Sequence, residues 1–206
     1  MALVKYNNNS ISAITSTGLS AGAMTLIKSQ TASSSSTISF VDGTSDVVLD
    51  NTYPIYLFKF INIHPATNET KFQVNMSIDG GSNYNVTKTT TMFRAYNAET
   101  EAASAVTYYA GGDLAQSTGF QYLTLGIGNA NDANASGYLY LFNPSSTTYV
   151  KNFIARTSEN YVGTYSLDNF VGGYCNTASA VDAVQFAMSS GNIDAGTIKL
   201  YGIKDS

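Results

Sequence analysis

Few side chains here could carry acid–base or nucleophilic chemistry. There is one histidine, His64, in Ile61-Asn62-Ile63-His64-Pro65, and one cysteine, Cys175, in Gly172-Gly173-Tyr174-Cys175-Asn176. A lone histidine could act as base for a serine or for the thiol. However, no Gly-x-Ser-x-Gly elbow is present, and neither serine nor cysteine stands in a nucleophile context. His64 therefore reads as a strand-end histidine hydrogen-bonded in a corner before Pro65, and Cys175 as a small buried hydrophobe. One cysteine also excludes an intrachain disulfide and a zinc cluster.

Carboxylates are the next candidates, because glycan cleavage needs a pair about 5–10 Å apart. Of the 14 Asp and Glu, Glu99 and Glu101 would share one side of an extended strand, the pattern of a solvated face. Asp79-Gly80-Gly81-Ser82-Asn83 and Asn129-Ala130-Asn131-Asp132-Ala133-Asn134 offer oxygen ligands, but neither has the spaced acids and terminal Glu of an EF-hand loop. Both read as turns, the first using glycine to reach positive φ. No catalytic residue, metal ligand or cofactor site is assigned. The residues named as exposed-loop contacts are Asn83, Tyr84, Asn131, Asp132 and Asn134.

The composition sets limits on partners. Ten Lys and Arg against 14 Asp and Glu give a net charge of −4, and no two cations are adjacent. A phosphate-binding surface needs clustered cations, so nucleic acid is not expected. No stretch approaches the ~18–20 apolar residues that span a bilayer, so membrane insertion is not expected. Met1-Ala2-Leu3-Val4-Lys5-Tyr6 lacks the basic start and apolar run of a secretory signal, which points to synthesis in a reducing cytoplasm. Hydrophobic residues reach 44% while charged ones stop at 12%, the remainder being rich in Ser, Thr, Asn and Gly. With 15 Tyr, this is the make-up of an adaptable recognition surface.

The elements that would hold such a surface are strands. In Lys71-Phe72-Gln73-Val74-Asn75-Met76-Ser77-Ile78 every even position is apolar and every odd one polar, a period of two. Thr37-Ile38-Ser39-Phe40 and Thr197-Ile198-Lys199-Leu200 repeat it, and residues 183–188 do so more loosely. Residues 54–63 and 137–142 are almost unbroken apolar runs, strands covered on both faces by the core or by a partner chain. Polar turns separate the runs. The best helix candidate is residues 93–105, rich in Ala and Glu. The fold class expected is all-β: an antiparallel β-sandwich, jelly-roll-like, over residues 36–206.

Residues 1–35 differ. Polar stretches alternate there with small apolar patches, too little to form a core. They read as an extended N-terminal arm for anchoring or oligomerisation, with Tyr6, Ile11, Ile14 and Leu19 as its anchoring side chains.

Several strings carry a resemblance. They are Met24-Thr25-Leu26-Ile27-Lys28-Ser29-Gln30-Thr31, Phe58-Lys59-Phe60-Ile61-Asn62-Ile63-His64-Pro65, Leu141-Phe142-Asn143-Pro144-Ser145-Ser146 and the closing Ile193-Asp194-Ala195-Gly196-Thr197-Ile198-Lys199-Leu200-Tyr201-Gly202-Ile203. Over residues 24–203 the chain resembles virion structural, tail-fibre-like proteins of marine tailed bacteriophages, such as those infecting cyanobacteria. The resemblance implies a non-enzymatic virion component made in the host cytoplasm, with no catalytic motif and no cofactor. Its partners would be itself, as a homotrimer, other tail or capsid proteins, and a host-surface glycan or receptor. Tail fibre or spike is the first reading, and capsid decoration of the head shell the second. A glycan-binding or glycan-hydrolysing module is a further alternative.

Overall fold

The computed structural model describes residues 23–162 and 164–204. Among them are twelve strands and no helix: β1 (Met24–Thr31), β2 (Thr37–Val41), β3 (Ile55–Pro65), β4 (Phe72–Ser77), β5 (Lys88–Ala98), β6 (Ser104–Tyr108), β7 (Gln121–Tyr122), β8 (Ala135–Phe142), β9 (Lys151–Tyr161), β10 (Tyr165–Cys175), β11 (Ala183–Met188) and β12 (Ile193–Ile203). They form two antiparallel sheets, ordered β1-β12-β3-β8-β9-β10-β5-β6 and β2-β11-β4-β7. The β-sandwich expected from the sequence is the observed fold.

Eight strands pair in a nested way: β1 with β12, β2 with β11, β3 with β8 and β4 with β7. The hairpins β5–β6 and β9–β10 extend the large sheet beyond β8. The alternation over residues 71–78 becomes β4, whose Phe72, Val74 and Met76 are fully buried. These meet Phe40, Phe58, Phe60 and Phe186 between the sheets. Phe186 is at the centre, its ring 5.2–5.6 Å from those of Phe60, Phe58 and Phe72 and 6.3 Å from Phe40. Such ring pairs add to the stabilisation from area alone. The apolar runs became the neighbours β3 and β8. Leu57, on the outer face of β3, is buried between cross-strand Tyr140 and Tyr201.

Two sequence expectations are corrected. Residues 24–31, assigned to the arm, form β1, which pairs with β12 from Met24–Ile203 to Thr31–Thr197. Ile27 packs on the core and the Gln30 Nε2 donates to the Ser39 carbonyl (2.8 Å), so this stretch is edge strand, not arm. Tyr6, Ile11, Ile14 and Leu19 lie outside the described residues. Residues 93–105, the helix candidate, are instead the β5–β6 hairpin, because pairing with β10 alternates Met92, Arg94 and Tyr96 inward with Phe93, Ala95 and Asn97 outward. Glu99 and Glu101 consequently sit in the exposed turn between these strands and not on a strand face.

The register fixes two ends. At one, Met24 pairs with Ile203 and Ile203 with Ile55. At the other, Pro65 pairs with Ile193, Ile63 with Ala135 and Tyr161 with Tyr165. At this far end a bulge in β12 puts Gly196, φ +119°, against β3. A Cβ there would come within 2.7 Å of the Asn62 carbonyl oxygen.

Phe186→Ala removes the ring shared by four partners and is expected to cost about 3–5 kcal/mol. Urea unfolding of the two proteins measures this. A loss below about 1 kcal/mol would mean the cluster does not organise the core.

Candidate functional site

The loop residues chosen from the sequence do not share a site. Asn83 and Tyr84 follow β4 at the end where Met24 and Ile203 lie, whereas Asn131, Asp132 and Asn134 precede β8 at the far end. The Asn83 side chain is engaged within its own turn, its backbone N–H and Nδ2 donating to the Asp79 carboxylate at 2.9 and 2.7 Å. With the Ser77 hydroxyl also donating, these bonds hold the Asp79 carboxyl down at about 2. Gly80 and Gly81, at φ +70° and +78°, make the turn possible. The loop is thus a self-satisfied turn, as its composition suggested.

The far-end loop is pinned from β3 and the segment after it. His64 Nε2 lies 3.1 Å from the Ala130 carbonyl, and the Asn129 N–H donates to Asn68 Oδ1 at 3.2 Å. His64 Nδ1 is 3.7 Å from the Asp194 carboxylate. The strand-end role expected of His64 is the observed one. Asn131 and Asp132 are exposed at the loop's tip, while Asn134 enters a groove of about 410 Å³ on the outer face of the large sheet.

That groove is built by register. Asn97, Ser166 and Asn160 form one row across β5, β10 and β9, and Ser158 pairs with Ser136 across β9 and β8. The Asn160 Oδ1 is shielded from solvent without a hydrogen-bond partner. Two carboxylate residues border the groove, Glu99 and Glu159. Glu159, however, is 3% exposed and turned inward, accepting from the N–H groups of Leu125 (2.7 Å) and Gly126 (3.2 Å) and from Asn169 Nδ2 (2.9 Å). Burial pushes its carboxyl upward against those donors. Among the groove's lining residues, Glu99 is the carboxylate without such inward bonds.

On the inner face of the same strands is a second cavity, about 280 Å³, lined by Arg94, Tyr96, Ala103, Tyr161, Tyr165 and Leu167. Nothing in the sequence singled these out. The signal available was a lone arginine among tyrosines, Arg94-Ala95-Tyr96, whose meaning depends on which face of β5 it occupies. Below the groove on the outer face, Phe93 and Phe170 stack at 4.6 Å. The Arg156 guanidinium lies 4.8 Å from the centre of the Phe170 ring and is held by two-pronged bonds to Asp168 of 2.6–3.1 Å.

Cys175 is buried at the opposite end, paired across the sheet with Lys88 on one side and Lys151 on the other. Burial pushes its thiol up to about 11, the reverse of an activated thiolate. Lys88 is buried too, donating to Asn75 Oδ1 (2.5 Å) and the Val86 carbonyl (2.7 Å), and its ammonium falls from 10.5 to about 8. Among the described residues no three His, Cys, Asp or Glu side chains converge as metal ligands. Compared with protein-family models, curated proteins and solved structures, the chain matches none.

Lys88 gives a pH signature. Folded, it loses its proton near pH 8, and unfolded near 10.5, so the unfolded chain holds more protons between these values and stability rises with pH there. Cys175 acts oppositely, from its ordinary 9.0 up to about 11. In a Cys175→Ala background, stability is therefore expected to rise from pH 8 to 10.5. Lys151, whose ammonium burial also pushes down, adds to the rise, and the further change Lys88→Met is expected to reduce it. Urea unfolding across the range checks it; identical profiles would contradict the burial of a strained ammonium.

Proposed function

We propose that this chain is a non-enzymatic structural protein of a phage virion, a tail-fibre or spike-type module exposed for host attachment. The observation that carries this reading is the division between the two ends. Met24 and Ile203, the first and last strand residues, lie together at one end, and on this reading that end faces the particle. The Asn/Ser groove, the Arg94 cavity and the Asn131–Asp132 tip lie at the other. The nested pairing of eight strands supports the jelly-roll reading. The sequence resemblance to tail-fibre-like virion proteins points the same way. A non-enzymatic role is supported by the inward engagement of Glu159, which leaves the groove one carboxylate where hydrolysis needs two.

Self-association as a homotrimer fits the outer face of the large sheet, where Phe93 and Ile154 are 40–50% exposed beside Phe170. The same apolar face favours the second reading, capsid decoration, in which it would pack on capsomers.

Imaging purified particles and quantifying this protein against the major capsid protein separates the readings. A few copies clustered at the tail are expected. Copies on the order of the capsomer number, spread over the shell, would establish decoration instead, and absence from the particle would sink both. Since β1 belongs to the sandwich, an arm deletion must stop before it. Deleting residues 2–22 is expected to keep cooperative unfolding and abolish incorporation into particles; full incorporation of the shortened chain would contradict anchoring by the arm.

A further inference from the structure

We infer that the far end binds a carboxylate-bearing sugar, with Arg94 as the group that recognises the carboxylate. This deepens the proposed attachment role and rests on the far end being the recognition end.

The chain has two arginines, at positions 94 and 156, and the fold treats them differently. Arg156, outside, is paired with Asp168 through its Nε and Nη2. Arg94, on the inner face of β5, makes no salt bridge among the described residues. It is fixed instead by aromatic faces, its guanidinium carbon 5.3 Å from the centre of the Tyr96 ring and 4.9 Å from that of Tyr109. Its Nε is out of contact with solvent and has no hydrogen-bond partner. The Glu159 carboxylate acts on Arg94 through space, but its hydrogen bonds come from Leu125, Gly126 and Asn169. The guanidinium thus borders the cavity without a carboxylate partner among the described residues, a group whose planar fork takes a carboxylate by two parallel bonds.

The walls of the cavity indicate what carries that carboxylate. Tyr161, Tyr165 and Tyr96 form an edge-to-face chain with centroids 6.1–6.3 Å apart, beside Leu167. Rings of this kind pack on the C–H faces of a pyranose. At about 280 Å³ the cavity stands near the ~300 Å³ where small-ligand sites begin, room for one sugar unit rather than a chain. The outer face of the same strand ends is polar. Strand alternation puts Asn97 and Ser166, the immediate successors of Tyr96 and Tyr165, in the outer groove with Asn160 and its unpartnered Oδ1. Pocket and groove are therefore two faces of the same strand ends, one suited to a charged sugar and the other to neutral hydroxyls. A peptide carboxylate or fatty acid would use the first and leave the second idle.

The test is calorimetric titration of the full chain with glucuronate and a glucuronate-containing oligosaccharide, with the matching glucose sugars as neutral controls. The uronates are expected to bind at least about tenfold tighter than the controls, the worth of one charge-assisted hydrogen bond. Arg94→Gln should erase that preference, and Arg94→Lys, which keeps the charge without the fork, should retain only part of it. Both variants should unfold cooperatively like the parent. Equal affinity for charged and neutral sugars, an unchanged preference in Arg94→Gln, or no binding of any of these sugars would each overturn the assignment. The virion reading fails separately: a protein found at the tail that ignores uronates loses only the sugar assignment, and one that binds uronates but is missing from particles loses only the virion reading.

Discussion

An eight-stranded sheet faced by only four strands has an unmet covering requirement, and much of the molecule follows from it. The small sheet has half as many strands as the large one, and β9, β10, β5 and β6 lie beyond β8 in the large sheet. The chain between β6 and β8 closes that gap with almost no regular structure beyond the two residues of β7. Irregular backbone buried against a sheet leaves N–H and C=O groups that need partners. The extension supplies them from its side chains. Glu159 takes the N–H groups of Leu125 and Gly126, and Thr157 donates to the Leu123 carbonyl. Thr90 takes the Leu114 N–H and binds Gln121, whose Nε2 donates to the Gly112 and Tyr122 carbonyls. Asn75, from the small sheet, reaches the Thr118 carbonyl and receives the Lys88 ammonium.

This polar seam positions the far-end cavity. The Tyr109 N–H donates to the Met92 carbonyl, and the Tyr109 ring lies against the Arg94 guanidinium. Glu159 anchors residues 125–126 from beneath and is itself braced by Asn169. Satisfied networks of this type rigidify what they join, at the cost of burying charge. Outside, the Phe93–Phe170–Arg156 stack ties β5, β10 and β9 together, so the strands that carry groove and cavity are fixed on both faces.

The seam also explains what could be read in the sequence. Strands β2, β3, β4, β8, β11 and β12 are visible because their inner residues are apolar, as with Phe72, Val74 and Met76. Strands β9 and β10 alternate just as strictly in burial, but Lys151, Thr157, Glu159 and Asn169 are among their inward residues and Ile154 and Phe170 among their outward ones. Hydropathy therefore carries no period of two there. β1 was hidden by its Ser, Thr and Lys, the composition of a lone edge strand with few neighbours. For the site, the Asn-rich loop before β8 was legible as exposed, and its companion after β4 equally so. That they sit at opposite ends is a property of strand register, which composition does not record. Arg94 was invisible for the same reason, since its significance lies in having no salt-bridge partner among the described residues.

The functional account rests on the two ends having different roles, one facing the particle and the other facing outward. Placing a short epitope in the 129–134 loop, or in the 79–83 loop, and labelling intact particles with antibody tests this directly. The account expects the first epitope to be labelled and the second to be masked until the particle is dismantled. Labelling of the 79–83 epitope with masking of the 129–134 epitope would contradict it, and with it the assignment of the Arg94 end to recognition.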